Sequence, residues 1–290
     1  MNLFVFGMGY SGLASARVVR ERDPSTRIAG TSRTPEGAAA LVREGFAGHV
    51  FAGDAPGATL GKDLVAATHV VLSIAPGPEG DPALRRHRAE LDAAQNLEWL
   101  CYYSTIGVYG DHGGDWIDEG ASLNATSERN RRRIAAEAQW RDYADARGVP
   151  LCVLRLAGIY GSGRSAFDKL AEGTAHRIVK PEQVFNRIHV ADIARVTALA
   201  AEARLAGTYN LADDLPAPPQ DVVAFAAGLA GVEPPPEIPF EEAELTPMQR
   251  SFYADNKRVS NVAIKEALGI TLLYPDYRQG LAAIDDGSHP

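Results

Sequence analysis

The residues with the clearest chemical meaning stand at the N-terminus. Gly7-Met8-Gly9-Tyr10-Ser11-Gly12 follows the apolar run Leu3-Phe4-Val5-Phe6 and opens a helical stretch. Glycines at this spacing, between a strand and a helix, suit a phosphate-binding turn. Gly7 permits the tight turn, Gly9 lets backbone approach a pyrophosphate, and Gly12 lets helix and strand pack closely. The helix start then offers unpaired N–H groups and the positive end of the helix dipole. The spacing predicts that Gly7 to Gly12 hold the pyrophosphate of a dinucleotide; the competing reading is a plain strand-to-helix turn.

The next strand bears on which dinucleotide. An Asp or Glu at its end would bind the adenosine ribose hydroxyls. This chain has Thr31-Ser32-Arg33-Thr34 there. A hydroxyl and a guanidinium suit a 2′-phosphate, so Ser32 and Arg33 point to NADP rather than NAD. The alternative for Arg33 is a solvated surface charge. Asp54, after a third strand, could accept from an adenine amino group or be an ordinary loop residue.

These positions require an alternating framework. Strands are expected at 3–6, 27–31, 47–52, 69–74, 99–104 and 149–156, with helices at 11–22, 36–44, 82–96 and 127–147. Several strands are apolar throughout, which fits a parallel sheet covered on both faces. The expected fold is α/β: a Rossmann-type doubly wound sheet with a small C-terminal substrate lobe. We assign 1–157 to the core, rejoined by about 186–212, and 158–185 with 213–290 to the lobe. Gly207-Thr-Tyr-Asn-Leu211 is expected to return to the main sheet.

At this point the chain resembles the extended short-chain dehydrogenase/reductase family, which includes nucleotide-sugar epimerases and dehydratases. The likeness rests on the glycine turn, Ser73-Ile-Ala75-Pro76, Ser104-Thr105-Ile-Gly-Val-Tyr109-Gly110, Leu154–Gly161, Arg187-Ile-His-Val-Ala-Asp192 and Gly207–Leu211. It implies that Ser73, Ala75 and Pro76 line the cofactor and that Thr105 holds the reacting oxygen. It also implies a Tyr-x-x-x-Lys motif on the long helix, with the tyrosine as proton shuttle. Here the pattern departs. With Glu137 setting the register, the two positions are Arg129 and Arg133, and Ser127 to Trp140 contains neither Tyr nor Lys. A guanidinium stays protonated in proteins and cannot shuttle a proton near neutrality. Arg133 could still bind the ribose, and Arg129 could hold a substrate anion or polarise a carbonyl. Tyr109, Tyr160 and His112 are candidates for the missing acid–base, and the absence of any shuttle is a further alternative.

The remaining features are exclusions. The 290 residues carry a formal net charge of −8, which argues against nucleic acid or an anionic membrane as partner. The seven histidines and two cysteines show no metal-ligand spacing. Cys101 and Cys152 read as core thiols, and with no basic leader the chain is expected to be cytoplasmic. No apolar run approaches the ~20 residues of a membrane span. The expected partner is a small-molecule substrate, and the resemblance adds a homodimer through 82–96 and 127–147. Two functions follow: an NADP-dependent oxidoreductase or epimerase with an atypical acid–base site, or a non-catalytic NADP-binding redox sensor or structural module.

Overall fold

The computed structural model describes residues 1–287 and divides into two compact units. The first comprises Met1–Thr105, Arg129–Arg155 and Ile193–Tyr209; the second comprises Ile106–Glu128, Leu156–Asp192 and Asn210 onward. The segment Ile106–Glu128, grouped with the core on sequence, thus clusters with the second unit.

The first five strands are β1 (Asn2–Phe6), β2 (Arg27–Ser32), β3 (Ala47–Val50), β4 (His69–Leu72) and β5 (Trp99–Thr105). With Leu151–Leu156 and Gly207–Leu211 they form a seven-stranded parallel sheet, a Rossmann-like fold. Its order is Gly207–Leu211, Leu151–Leu156, β5, β4, β1, β2, β3. Leu3 pairs with Ile28 of β2 and with His69 of β4. β1 is therefore central, which is why Leu3 to Phe6 are all buried. Gly207–Leu211 joins the sheet as expected.

Side chains of β5 alternate between two helical layers. Leu100 and Tyr102 join Phe4, Phe6, Leu72, Ala136, Trp140 and Tyr143 in one core cluster. On the other face the Tyr103 hydroxyl bonds Ser15 Oγ and Thr197 Oγ1, both at 2.7 Å. The helix Glu128–Arg147 runs as the sequence predicts. The expected helix 82–96 does not. It is two pieces, Pro82–Arg86 and Arg88–Ala93. The break is at His87, whose fully buried ring accepts a hydrogen bond from Gly57 N–H at 3.0 Å.

Between β5, the long helix and Leu151–Leu156 lies a buried ion cluster. Glu137 is 0% exposed and Arg155 is 4% exposed, so neither charge has water to compensate it. Arg155 donates to both Glu137 carboxylate oxygens, at 3.1 and 2.8 Å, and Ser104 Oγ donates at 2.5 Å. Arg141 Nη2 adds a bond at 3.0 Å. Burial alone would raise the Glu137 carboxyl. The bonds and charges of Arg155, Ser104 and Arg141 outweigh it, and the group is held below the usual carboxylate range.

The second unit is built from short paired strands. Gly158–Tyr160 pairs with Arg187–His189, Arg177–Val179 with Glu237–Pro239, and Trp116–Ile117 with Arg258–Val259. Asn186 stitches the segment after residue 256: its Nδ2 donates to Lys257 O at 3.0 Å and its Oδ1 accepts from Val259 N–H at 2.8 Å. Among the described residues, no helix is long and apolar enough to cross a membrane, and no group of three acidic, His or Cys side chains is placed to hold a metal ion.

Removing one partner of a buried ion pair leaves the other uncompensated. Glu137→Ala is expected to cost about 3–5 kcal/mol in urea unfolding. Because the folded-state pKa of Glu137 is lowered, its contribution is present above the unfolded carboxyl value and is lost as pH falls through the folded value. The stability gap between wild type and Glu137→Gln should therefore narrow as pH is lowered from 6 through the carboxylate range. A gap independent of pH would contradict this.

Candidate functional site

The glycine turn is strained where the sequence supplies glycine. Gly7 has φ +85°. A Cβ there would lie 2.7 Å from Ile74 Cγ2, and one on Gly12 would lie 2.5 Å from Gly7 O. Gly7 N–H donates to Thr31 Oγ1 and Met8 N–H donates to Thr31 O, both at 2.8 Å. Met8 is buried against Gly30, where a Cβ would come 2.1 Å from its sulfur. This locks the turn onto the end of β2. Gly9 differs: it is exposed, and a Cβ built on it meets nothing within 4 Å. It caps the helix α1 (Tyr10–Arg22), whose first turn has no acidic residue and no side-chain cap. Tyr10 is half-buried and Ser11 is buried behind it. The turn therefore presents backbone and open space at Gly9, as an anionic pyrophosphate requires.

At the end of β2, Ser32 is half-buried and Arg33 is exposed. A Cβ on Gly37 would lie 2.0 Å from Ser32 Oγ, so that glycine leaves the hydroxyl its place. Thr34 caps the helix α2 (Pro35–Arg43) by accepting from Gly37 N–H. Asp54 is exposed, and its Oδ1 accepts from Ala55 N–H at 2.9 Å, which orders the local turn. After β4, Ser73 N–H donates to Phe6 O at 2.8 Å; Ser73 and Pro76 are half-buried and Ala75 is exposed.

Arg133 lies beside the ends of β4 and β5. Its Nη1 donates to Tyr103 O at 2.6 Å, to the Tyr102 hydroxyl at 3.2 Å and to Ile74 O at 3.4 Å. Among the described residues its other nitrogens have no hydrogen-bond partner. Arg129, one turn earlier on the same face, is exposed. Tyr102 was not among the residues singled out on sequence, although strand alternation puts it on the same face as Ser104. Burial pushes its hydroxyl up to about 12 and Arg133 only partly offsets this, so Tyr102 braces Arg133 and holds its own proton at neutral pH. Thr105 ends β5, half-buried, on the face opposite Ser104.

The acid–base candidates lie in the second unit. Tyr109 is 0% exposed, and its hydroxyl donates to Asn210 Oδ1 at 2.7 Å. The Tyr109 hydroxyl is thus sealed from solvent and engaged by an asparagine. Tyr160 is nearly buried and makes a long 3.5 Å bond to Asp276 O; burial first, then Asp213 and Asp192, push its hydroxyl far above the usual tyrosine value. His112 is half-buried, its Nε2 without a hydrogen-bond partner.

Comparison with known proteins sets this arrangement in a family. The sequence model of the NAD dependent epimerase/dehydratase family matches residues 87–212. A structure described as a functionally unknown conserved protein from Silicibacter pomeroyi DSS is 45% identical, covers 98% of each chain, and superposes with a TM-score of 0.88. This chain belongs to the NAD-dependent epimerase/dehydratase family. More distant members share the fold. UDP-glucuronic acid 4-epimerase from Bacillus cereus, in complex with NAD, is 16% identical over 99% of this chain and 96% of that one, with a TM-score of 0.76. dTDP-glucose 4,6-dehydratase from Bacillus anthracis str. Ames, also with NAD, is 14% identical over 99% and 96%, with a TM-score of 0.78. No curated protein matches the sequence.

The glycine geometry gives a direct contrast. Gly9→Ala should change stability by no more than about 1 kcal/mol, since φ is −87° and the Cβ meets open space. Gly12→Ala should cost about 1–3 kcal/mol, because the Cβ runs into backbone. Thermal unfolding of the two variants checks this; equal losses would contradict it.

Proposed function

We propose that the first unit binds a nicotinamide dinucleotide, NADP in preference to NAD, and that the chain uses it to oxidise or reduce a small polar substrate, as an oxidoreductase or epimerase. The observation that carries this is the turn at Gly9: exposed backbone, open space, and an uncapped, acid-free helix start behind it. With the Met8 N–H given to Thr31 O, backbone N–H groups from Gly9 to Ser11 would hold the pyrophosphate. Ser73, Ala75 and Pro76 would line the path beyond it. The uncommitted nitrogens of Arg133 would reach the nicotinamide ribose.

The preference for NADP rests on the end of β2. The two epimerase/dehydratase structures above contain NAD, but this chain has no carboxylate there; it has Ser32 and an exposed Arg33. A guanidinium in that place favours a 2′-phosphate by a charge-assisted, bidentate bond.

A bound nicotinamide supplies hydride exchange. The chain's own residues do the rest. Thr105 would orient the reacting oxygen. Arg129 and Arg133 remain cations throughout, so they stabilise negative charge on a substrate carbonyl oxygen without passing a proton. Protonation of that oxygen then falls to solvent.

A second reading is favoured by one observation. The two positions that would supply proton transfer are arginines, and Tyr109 is sealed against Asn210. This suits a protein that binds NADP without turnover. NADPH oxidation with a panel of aldehydes, ketones and nucleotide sugars separates the two: turnover with any supports the enzyme, and tight binding with none supports the sensor. For the cofactor itself, Arg33→Ala should weaken NADPH binding about ten-fold or more and leave NADH binding unchanged in fluorescence titrations. Equal effects on both would overturn the assignment of Arg33 to the 2′-phosphate.

A further inference from the structure

Gly37 is a glycine that its own backbone does not require. It stands in the first turn of α2, and its φ lies outside the left-handed region. Glycine inside a helix is destabilising relative to alanine, because it gives up more conformational freedom on folding. The space around Gly37 supplies the reason for keeping it. A Cβ there would lie 2.0 Å from Ser32 Oγ and 2.9 Å from Ser32 Cβ. The next contact, Thr34 Oγ1 at 3.5 Å, is ordinary. Thr34 Oγ1 accepts from Gly37 N–H at 3.2 Å, and a methyl group on residue 37 leaves that cap in place. It collides with Ser32 alone.

Ser32 cannot retreat. It ends β2, where it pairs with Val50 of β3, and its carbonyl accepts from Phe51 N–H at 2.8 Å. With the backbone held in the sheet, only χ1 is free to move. Rotation about χ1 would carry Oγ away from α2, and the Cβ contact would remain. The missing side chain of residue 37 thus selects the rotamer that lays the Ser32 hydroxyl against the first turn of α2.

That hydroxyl is half-buried and has no hydrogen-bond partner among the described residues. The next residue in the chain, Arg33, is exposed. Thr34 spends its own hydroxyl oxygen on the helix cap. The donors left at the end of β2 are therefore one O–H and one guanidinium, and a phosphate accepts from both.

We propose that Gly37 is a positioning residue for the 2′-phosphate of the dinucleotide: by lacking a side chain it keeps the Ser32 hydroxyl where a phosphate oxygen can accept from it. This rests on the reading of Ser32 and Arg33 given above and adds the residue that enforces it.

The test is a double-mutant cycle of Gly37→Ala and Ser32→Gly, read by thermal unfolding and by NADPH and NADH titration of the same proteins. In the wild-type background Gly37→Ala should lower Tm. With Ser32→Gly the obstacle is gone, and Gly37→Ala should raise Tm, as alanine does at an unobstructed helix position. Gly37→Ala alone should weaken NADPH binding about five-fold or more and leave NADH binding unchanged, the loss of one hydrogen bond to a charged group. Ser32→Ala, which removes the hydroxyl and leaves the helix untouched, should weaken NADPH binding by the same factor. In the Ser32→Gly background Gly37→Ala should change neither affinity. Tm shifts of the same sign in both backgrounds would overturn the proposal. So would an unchanged ratio of NADPH to NADH affinity in Gly37→Ala, with the assignment of Arg33 left standing. A wild type that binds NADPH no better than NADH would overturn both.

Discussion

The arrangement of the first unit turns on the buried pairing of Glu137 with Arg155. A carboxylate and a guanidinium removed from water each cost several kcal/mol, and only close, multiple hydrogen bonds offset that. Arg155 supplies two of them and Ser104 a third. These three residues come from the long helix, from Leu151–Leu156 and from β5. The helix therefore cannot rotate about its axis without breaking the cluster. Residue 133 is one turn before Glu137, and residue 129 one turn before that. Fixing Glu137 fixes both arginines, and it delivers the Arg133 guanidinium to Tyr103 O at the end of β5.

That rigidity has a chemical consequence. In the register set by Glu137, the resemblance to the wider family implies a tyrosine and a lysine, and this chain has two arginines held as firmly. In that register the chain places arginines where the resemblance implies the proton carrier. Arginine offers a cation and hydrogen-bond donors, groups suited to binding and to electrostatic stabilisation. What it lacks is a pKa near the working pH. Membership of the epimerase/dehydratase family thus specifies the fold and leaves the chemistry to be shown for this chain.

Local features were legible in the sequence because their causes are local. Gly7, Gly9 and Gly12 each answer a constraint within a few residues, and the apolar runs of β1 and β4 report burial on both faces. Gly207–Leu211 was legible for the same reason. Features set by distant partners were not. Nothing within 82–96 announces that His87 will be drawn into the core by Gly57, thirty residues away, and break the helix. Tyr109 stands in a family-like stretch, and its hydroxyl is committed to Asn210, a hundred and one positions later.

The central claim is that the glycine turn binds a dinucleotide in a chain whose long helix carries Arg129 and Arg133. Calorimetric titration of the purified protein with NADPH measures this most directly. The account predicts saturable binding of one NADPH per chain. An absence of binding heat and of saturation up to millimolar NADPH would contradict it.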